Sequence, residues 1–517
     1  MEKTWVSRLV RMTSEAGEPA VVPAGAQQDE QPSVVDTPIA VARNSAWLLA
    51  SQGLVIGVYG AVGILAVRLV STADWGRYST AMALIGVLVV VSELGITTLA
   101  LREMSSDVSA SPLIYGSAAL ALCVTSGAAA LLLAPSVYLL SYSWSIAALV
   151  ALAAPLLLLQ PLISLLEGTF NAHRLLRPVA ELTAVQCLAY AGLAVPLLLF
   201  GGGVKALVLA GVASMVLTLG LAAMLAHRYL GLVPRIRKRA THVRPFLFAA
   251  APIGAIGMIT IVYDRFDVLL LARLSSPTDV AHYTVPYSLV KLTWVIPSVV
   301  SLVFFPVLNS SFERDRVRAS EQFFLVVRAF FMVSLPLSLF LAVGGSDLLP
   351  FVFGSGYKSS AEVLQIMAWT SVLGFQNYIV WYAILAARLE RRVTMIMIAG
   401  LAFNVVANLI LIPRYGSTGA AAALVASDLL VVLWGALLVH RRVFPIPLRQ
   451  VALRPAVVSV IAVPLSIVLT RHYSAILGAS VGAVVCFLGL MAMGYITRHE
   501  LSPFVPQSGR HLLRIRD

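Results

Sequence analysis

The chain has 517 residues, of which 59% are hydrophobic and only 12% charged, and its mean hydropathy is +0.90. That balance excludes an assembly of soluble domains, where charged residues make up about a quarter of the chain. The net charge of +13, from 37 Lys and Arg against 24 acids, would suggest nucleic acid in a soluble protein. Here the excess sits in loops between apolar runs, so it speaks of membrane topology and no nucleic-acid partner is expected.

Residues 1–12 combine Trp5, Leu9 and Met12 with Lys3, Arg8 and Arg11, a pattern open to an amphipathic surface helix or a disordered tail. Residues 13–38, rich in Pro, Ala, Gly, Gln and acids, read as a linker. No cleavable signal peptide is expected, since the first 45 residues lack an apolar h-region. A helix needs about 20 apolar residues to cross the hydrocarbon core. Fourteen such stretches follow: 46–70, 78–101, 113–134, 145–166, 179–200, 204–226, 246–272, 281–305, 323–343, 361–387, 393–412, 419–439, 451–470 and 475–496. The expected fold class is therefore an all-α polytopic membrane protein. Cys123, Cys187 and Cys486 lie within these stretches, so neither disulfide framework nor metal site is indicated, and no cofactor is expected.

With the N-terminus in the cytoplasm, only Arg68, Arg77, Lys205, Arg273, Lys358, Arg414 and Arg471 face outward. Arg265 and Lys291 fall within spans, which leaves 28 of the 37 basic residues inside. This bias predicts cytoplasmic N- and C-termini and an even number of spans. The loop 227–245 carries six basic residues and no acid, as a topology anchor beside anionic lipid would.

An internal repeat appears at the outer ends. The segment Arg68-Leu69…Ser71…Asp74…Tyr78 recurs as Arg273-Leu274…Ser276…Asp279…Tyr283. Pro196 likewise precedes Ala206-Leu207-Val208 by the interval between Pro413 and Ala423-Leu424-Val425. A six-helix unit used twice follows, with both copies entering from the same side, which predicts two parallel lobes around a central cavity. The expected organisation is a cytoplasmic tail (1–43), a first lobe (44–226), a basic linker (227–245), a second lobe (246–443), and two further helices with a C-terminal tail (444–517).

Several short runs carry a family resemblance when taken as a set. They are Asn44-Ser45, Arg68-Leu69, Gly76-Arg77-Tyr78, Glu93-Leu94-Gly95 and Gly168-Thr169-Phe170-Asn171-Ala172 in the first half. In the second half they are Tyr263-Asp264-Arg265-Phe266-Asp267, Phe353-Gly354, Tyr357 and Asn404…Asn408…Ile412-Pro413-Arg414-Tyr415-Gly416. On these residues the chain resembles the polysaccharide flippases of the multidrug/oligosaccharidyl-lipid/polysaccharide exporter (MOP) superfamily, over residues 44 to about 443. The family usually has Asp where this chain has Glu93. The resemblance implies a non-enzymatic flippase of a bacterial cytoplasmic (inner) membrane. Its substrate would be a polyprenyl-pyrophosphate-linked oligosaccharide, carried from the inner to the outer leaflet, with polysaccharide polymerase or assembly proteins as candidate partners beside the membrane lipids.

The physical barrier to such a reaction is charge in hydrocarbon, about 3 kcal/mol per ionised group on insertion scales. Intramembrane cations are thus the residues of interest, and Arg265 and Lys291 in adjacent spans fit. Arg265 offers a planar fork for phosphate oxygens and Lys291 a point charge, Pro286 and Pro297 flanking the latter. The alternative is that both merely neutralise Asp264 and Asp267, which share one helix face. Those two acids are also candidates for binding H⁺ or Na⁺ to drive the cycle. Asn404 and Asn408 read as hydrogen-bond glue between helices or as cavity lining, and Asp428 likewise. Trp294 and Trp369, with Tyr378 and Trp381, could stack on sugar or pack in the interfacial belt. Gly53, Gly57, Gly60 and Gly63 suit close or bent packing of the first helix. A cation-coupled multidrug exporter would need a more apolar pocket, a peptidoglycan-precursor flippase more arginine in the first lobe. A membrane polymerase or ligase would need a sizeable catalytic loop, whereas the outer loop 344–360 lacks His and any nucleophile–base pair.

Overall fold

The computed structural model describes residues 38–231, 243–447 and 449–495. The N-terminal tail, most of the basic loop and the C-terminal tail lie outside these residues. Within them the chain is helical, with no strand. The first half comprises α1 (Pro38–Leu69), α2 (Thr72–Glu93), α3 (Ile96–Ser106), α4 (Ser111–Leu139), α5 (Trp144–Ala153), α6 (Leu156–Ala172), α7 (Leu176–Leu199) and α8 (Gly203–Leu230). The second comprises α9 (Val243–Leu274), α10 (Pro277–Thr293), α11 (Val295–Arg314), α12 (Arg316–Phe353), α13 (Ser360–Met367), α14 (Trp369–Ala386) and α15 (Glu390–Arg442). Two more helices follow, α16 (Arg454–His472) and α17 (Ala475–Ala492), which pack on each other and on α12.

Among the described residues nine helical segments are long and apolar enough to cross a membrane, or eleven when two bent pairs each count as one span. The expected fourteen is not reached by this measure, for identifiable reasons. The first apolar helix is shorter, Gly53–Leu69, and the tenth stretch is divided between α13 and α14. Conversely, α15 has 53 residues and would reach about 80 Å if straight. It is broken at Gly416 (φ 55°, ψ −128°), a left-handed φ that glycine adopts without a Cβ clash. A Cβ on Gly400 would collide with the Val431 side chain, so the two arms fold back against each other as a hairpin. The bent pairs are Phe246–Ala255 with Gly257–Leu274 (47°) and Pro277–Ser301 with Val303–Arg314 (43°). Pro252 lies just before the first bend and Pro306 just after the second, each a residue that removes a backbone donor from the helix ladder.

The sequence repeat reappears as one local structure built twice. At the start of α2, Ser71 Oγ accepts from the Asp74 amide (3.1 Å) and donates to Asp74 Oδ2 (2.7 Å). At the start of α10, Ser276 Oγ accepts from the Asp279 amide (3.1 Å) and donates to Asp279 Oδ2 (2.8 Å). Both are N-caps with an acid in the positive first turn. Asp279 Oδ1 also receives Ser417 Oγ (3.5 Å), tying the hairpin turn to α10.

The halves meet along α2, which packs on both α9 and α10. Near one end of that seam the Ser79 and Thr284 hydroxyls stand 3.3 Å apart. Near the other, the break between α2 and α3 at Leu94-Gly95 lies directly on Gly254 of α9. By contrast, Gly53, Gly57, Gly60 and Gly63 have nothing within 4 Å of where a Cβ would stand. The expected close packing is not there; these glycines border open space.

Gly254→Val should destabilise the protein by about 1–3 kcal/mol, since the added side chain would meet the Leu94 backbone. Gly257→Val, where the nearest atom is a Val90 methyl at 3.9 Å, should change the thermal unfolding temperature far less. Thermal unfolding of the detergent-solubilised variants checks both.

Candidate functional site

The spacing on α10 explains how the site assembles. Tyr283, Tyr287 and Lys291 recur every four residues and therefore form one stripe along the helix. On α9, Asp264 and Asp267 share a face at i, i+3 and look onto that stripe. Tyr283 donates its hydroxyl to Asp267 Oδ2 (2.6 Å) and Tyr287 donates to Asp264 Oδ1 (3.0 Å). Lys291 Nζ donates to the same Asp264 oxygen. The hairpin supplies the third side: Asn408 Nδ2 donates to Asp267 Oδ1 (2.7 Å) and to Asn404 Oδ1 (3.0 Å). From its returning arm, Asp428 Oδ1 accepts from Tyr263 (2.8 Å).

The two acids treated alike in the sequence are thus held differently. Asp264 carries both cations, Lys291 on one oxygen and Arg265 Nε 3.2 Å from the other. Asp267, only 2% exposed, has neutral donors alone: a tyrosine and an asparagine. An uncompensated buried charge costs several kcal/mol, so the Asp264 cluster is the place where charge tolerates burial. Two cations on one carboxylate leave a local surplus of positive charge. Arg265 keeps it accessible at the guanidinium end, since its side chain is 41% exposed although Nε itself is buried against Asp264. It points at α2, where a Cβ on Gly86 would lie 3.9 Å from that nitrogen.

Next to the cluster is a cavity of about 420 Å³ between α9, α10, α14 and α15. It lies on the second half's side of the seam. Asp264 and Tyr287 form its charged edge, and Trp294, Tyr378, Trp381 and Tyr382 form aromatic walls. Trp294, which caps α10, is held by its Nε1–H on Thr370 O (3.3 Å). Trp369, by contrast, is 40% exposed and is not among the residues that line the cavity. Asn404 and Asn408 are fully buried behind it, gluing the hairpin to α9. Sequence reasoning missed Asn377, Tyr382 and Tyr287. A usable signal was present, because Asn377, Tyr378, Trp381 and Tyr382 fall at i, i+1, i+4 and i+5 on one helix face. Among the described residues no group of three or more His, Cys, Asp or Glu is placed to hold a metal ion.

A bundle of apolar helices enclosing a charged cluster and a cavity is the build of a multi-pass membrane transporter. The chain belongs to the polysaccharide biosynthesis protein family, whose pattern matches residues 64–362. No curated protein matches the sequence. Among solved structures it is similar to the lipid II flippase MurJ in an inward closed conformation. That match has a TM-score of 0.70 at 12% identity, covering 92% of this chain and 100% of that one. It is also similar to an inward-facing multidrug resistance MATE transporter (0.59, 14% identity, 75% and 94% covered). A third match is a MOP superfamily transporter from Pyrococcus furiosus (0.53, 15%, 77% and 94%). The chain therefore shares the fold of these flippase and transporter structures.

Asp264→Asn should cost about 1–3 kcal/mol, because it strands Lys291 without its counter-charge; a fully buried pair would cost more, but Lys291 keeps 35% of its surface. Adding Lys291→Met should recover most of that loss. A double-mutant cycle followed by thermal unfolding measures the coupling.

Proposed function

We propose that this protein flips a polyprenyl-pyrophosphate-linked oligosaccharide from the inner to the outer leaflet of a bacterial cytoplasmic membrane. The supporting observation is the pair of cations on Asp264, with Arg265 half exposed at the seam between the halves. In the empty state Asp264 keeps both cations charged and in place. A pyrophosphate arriving at the seam offers Arg265 a bidentate partner and shares the ammonium of Lys291. The headgroup then crosses without facing hydrocarbon while the polyprenyl tail stays in lipid. Alternating access follows from two six-helix lobes, 44–226 and 246–443, rocking about the seam of α2 with α9 and α10. The basic-residue bias puts both termini in the cytoplasm. Membership of a polysaccharide biosynthesis family favours an oligosaccharide over a drug as cargo.

Asp267 serves the energetics of the cycle in this reading. Held by neutral donors and facing no cation, it can take up H⁺ or Na⁺ when the lobes part. Asn404 and Asn408 position it.

The test is a leaflet-resolved assay of lipid-linked sugar in proteoliposomes. A charge-assisted hydrogen bond is worth about 1.5–3 kcal/mol, so Arg265→Ala should slow flipping roughly 10- to 100-fold with expression unchanged. Full activity in an Arg265→Ala/Lys291→Ala double variant would remove the phosphate role. Asp267→Asn should abolish the response of flipping to an imposed H⁺ or Na⁺ gradient while leaving the gradient-free rate measurable.

A further inference from the structure

Two residues that line the aromatic chamber carry buried acceptors without a partner among the described residues. Among the described residues Asn377 Oδ1 and Asp428 Oδ2 are buried and have no hydrogen-bond partner, and both residues line the chamber. Leaving an acceptor so placed unsatisfied costs about 1–3 kcal/mol, so the chamber is made for a guest that donates hydrogen bonds. Its volume of about 420 Å³ falls within the range of small-molecule pockets, about 300–1,000 Å³.

The charges around the chamber narrow the guest further. Aromatic walls with carboxylates nearby can form a cage for organic cations. Here a resident cation already occupies that role: Lys291 Nζ sits 5.0 Å from the Tyr287 ring centroid and is bound to Asp264. A second cation would stand against Lys291 and Arg265. An anion would meet the unpaired carboxylate oxygen of Asp428 and the carbonyl of Asn377. What remains is a neutral guest with hydroxyl donors on its rim and C–H faces that lie flat on Trp294, Trp381 and Tyr382.

We propose that the chamber is a sugar subsite, seating a neutral pyranose ring whose hydroxyls donate to Asn377 and Asp428. This rests on the flippase reading above and adds which residues read the headgroup. Asp264 and Tyr287 belong both to the chamber wall and to the Lys291 cluster, so the subsite begins where the phosphate site ends. A sugar joined directly to pyrophosphate meets that arrangement, with its identity read by the chamber and its charge held at the seam.

The test uses the full chain in lipid nanodiscs. Saturation-transfer NMR is run with methyl glucoside, methyl galactoside and methyl N-acetylglucosaminide, and with tetraphenylphosphonium as the cationic probe. Inorganic pyrophosphate binding is measured separately by calorimetry. At least one glycoside should bind, with affinity reduced tenfold or more by Asn377→Leu and by Trp381→Leu and largely restored in Trp381→Phe. Pyrophosphate affinity should be unchanged in these variants, which also shows that they are folded, and lost in Arg265→Ala. Absence of glycoside binding, binding unaffected by both variants, or tetraphenylphosphonium competing for the chamber would each overturn the subsite. Glycoside binding that depends on Asn377 without any pyrophosphate binding would support the subsite and count against the phosphate-linked lipid.

Discussion

Everything in the interior of this protein is arranged around one carboxylate shared by two cations. Asp264 lies between Lys291 and Arg265, and it permits positive charge at the middle of an apolar bundle. Without it two partly exposed cations would stand side by side with no counter-charge; with it, one carboxylate is shared by both. The tyrosine stripe on α10 completes the coordination and sets the register between α9 and α10.

The neighbouring acid has a different environment for a structural reason. Asp267 faces the hairpin of α15, and the hairpin brings asparagines, not cations. The fold thus gives two acids along one turn of α9 different partners: cations at Asp264, and neutral donors at Asp267. The hairpin also carries Asp428 back to the cavity, so a single reversal at Gly416 serves both the buried niche and the chamber wall.

The repeated caps at Ser71–Asp74 and Ser276–Asp279 show how much local structure a short motif carries. A serine that accepts from an amide three residues on needs no distant partner, so the same spacing builds the same turn in both halves. The fold class was legible for a similar reason, since crossing hydrocarbon demands long apolar helices whatever their packing. Span count was less so. The break within the tenth stretch leaves no mark in hydropathy, whereas the reversal at Gly416 falls in the gap between the eleventh and twelfth stretches. Gly53, Gly57, Gly60 and Gly63 make the point from the other side: their spacing suited close packing, yet among the described residues nothing lies within 4 Å of where their Cβ atoms would stand.

The sequence by itself determined the helical membrane class, the repeated end-caps, and which charges are buried in spans, because each follows from transfer cost or from contacts a few residues apart. Only the tertiary structure decided that both cations belong to Asp264 and none to Asp267. It likewise placed Trp294 in the chamber wall and left Trp369 out of it, and brought Asn377 and Asp428 to one chamber from two helices. Such choices depend on helix rotation and on the hairpin's return, which are set by packing between helices and not by neighbours along the chain, as where Asn408 meets Asp267 across 141 residues.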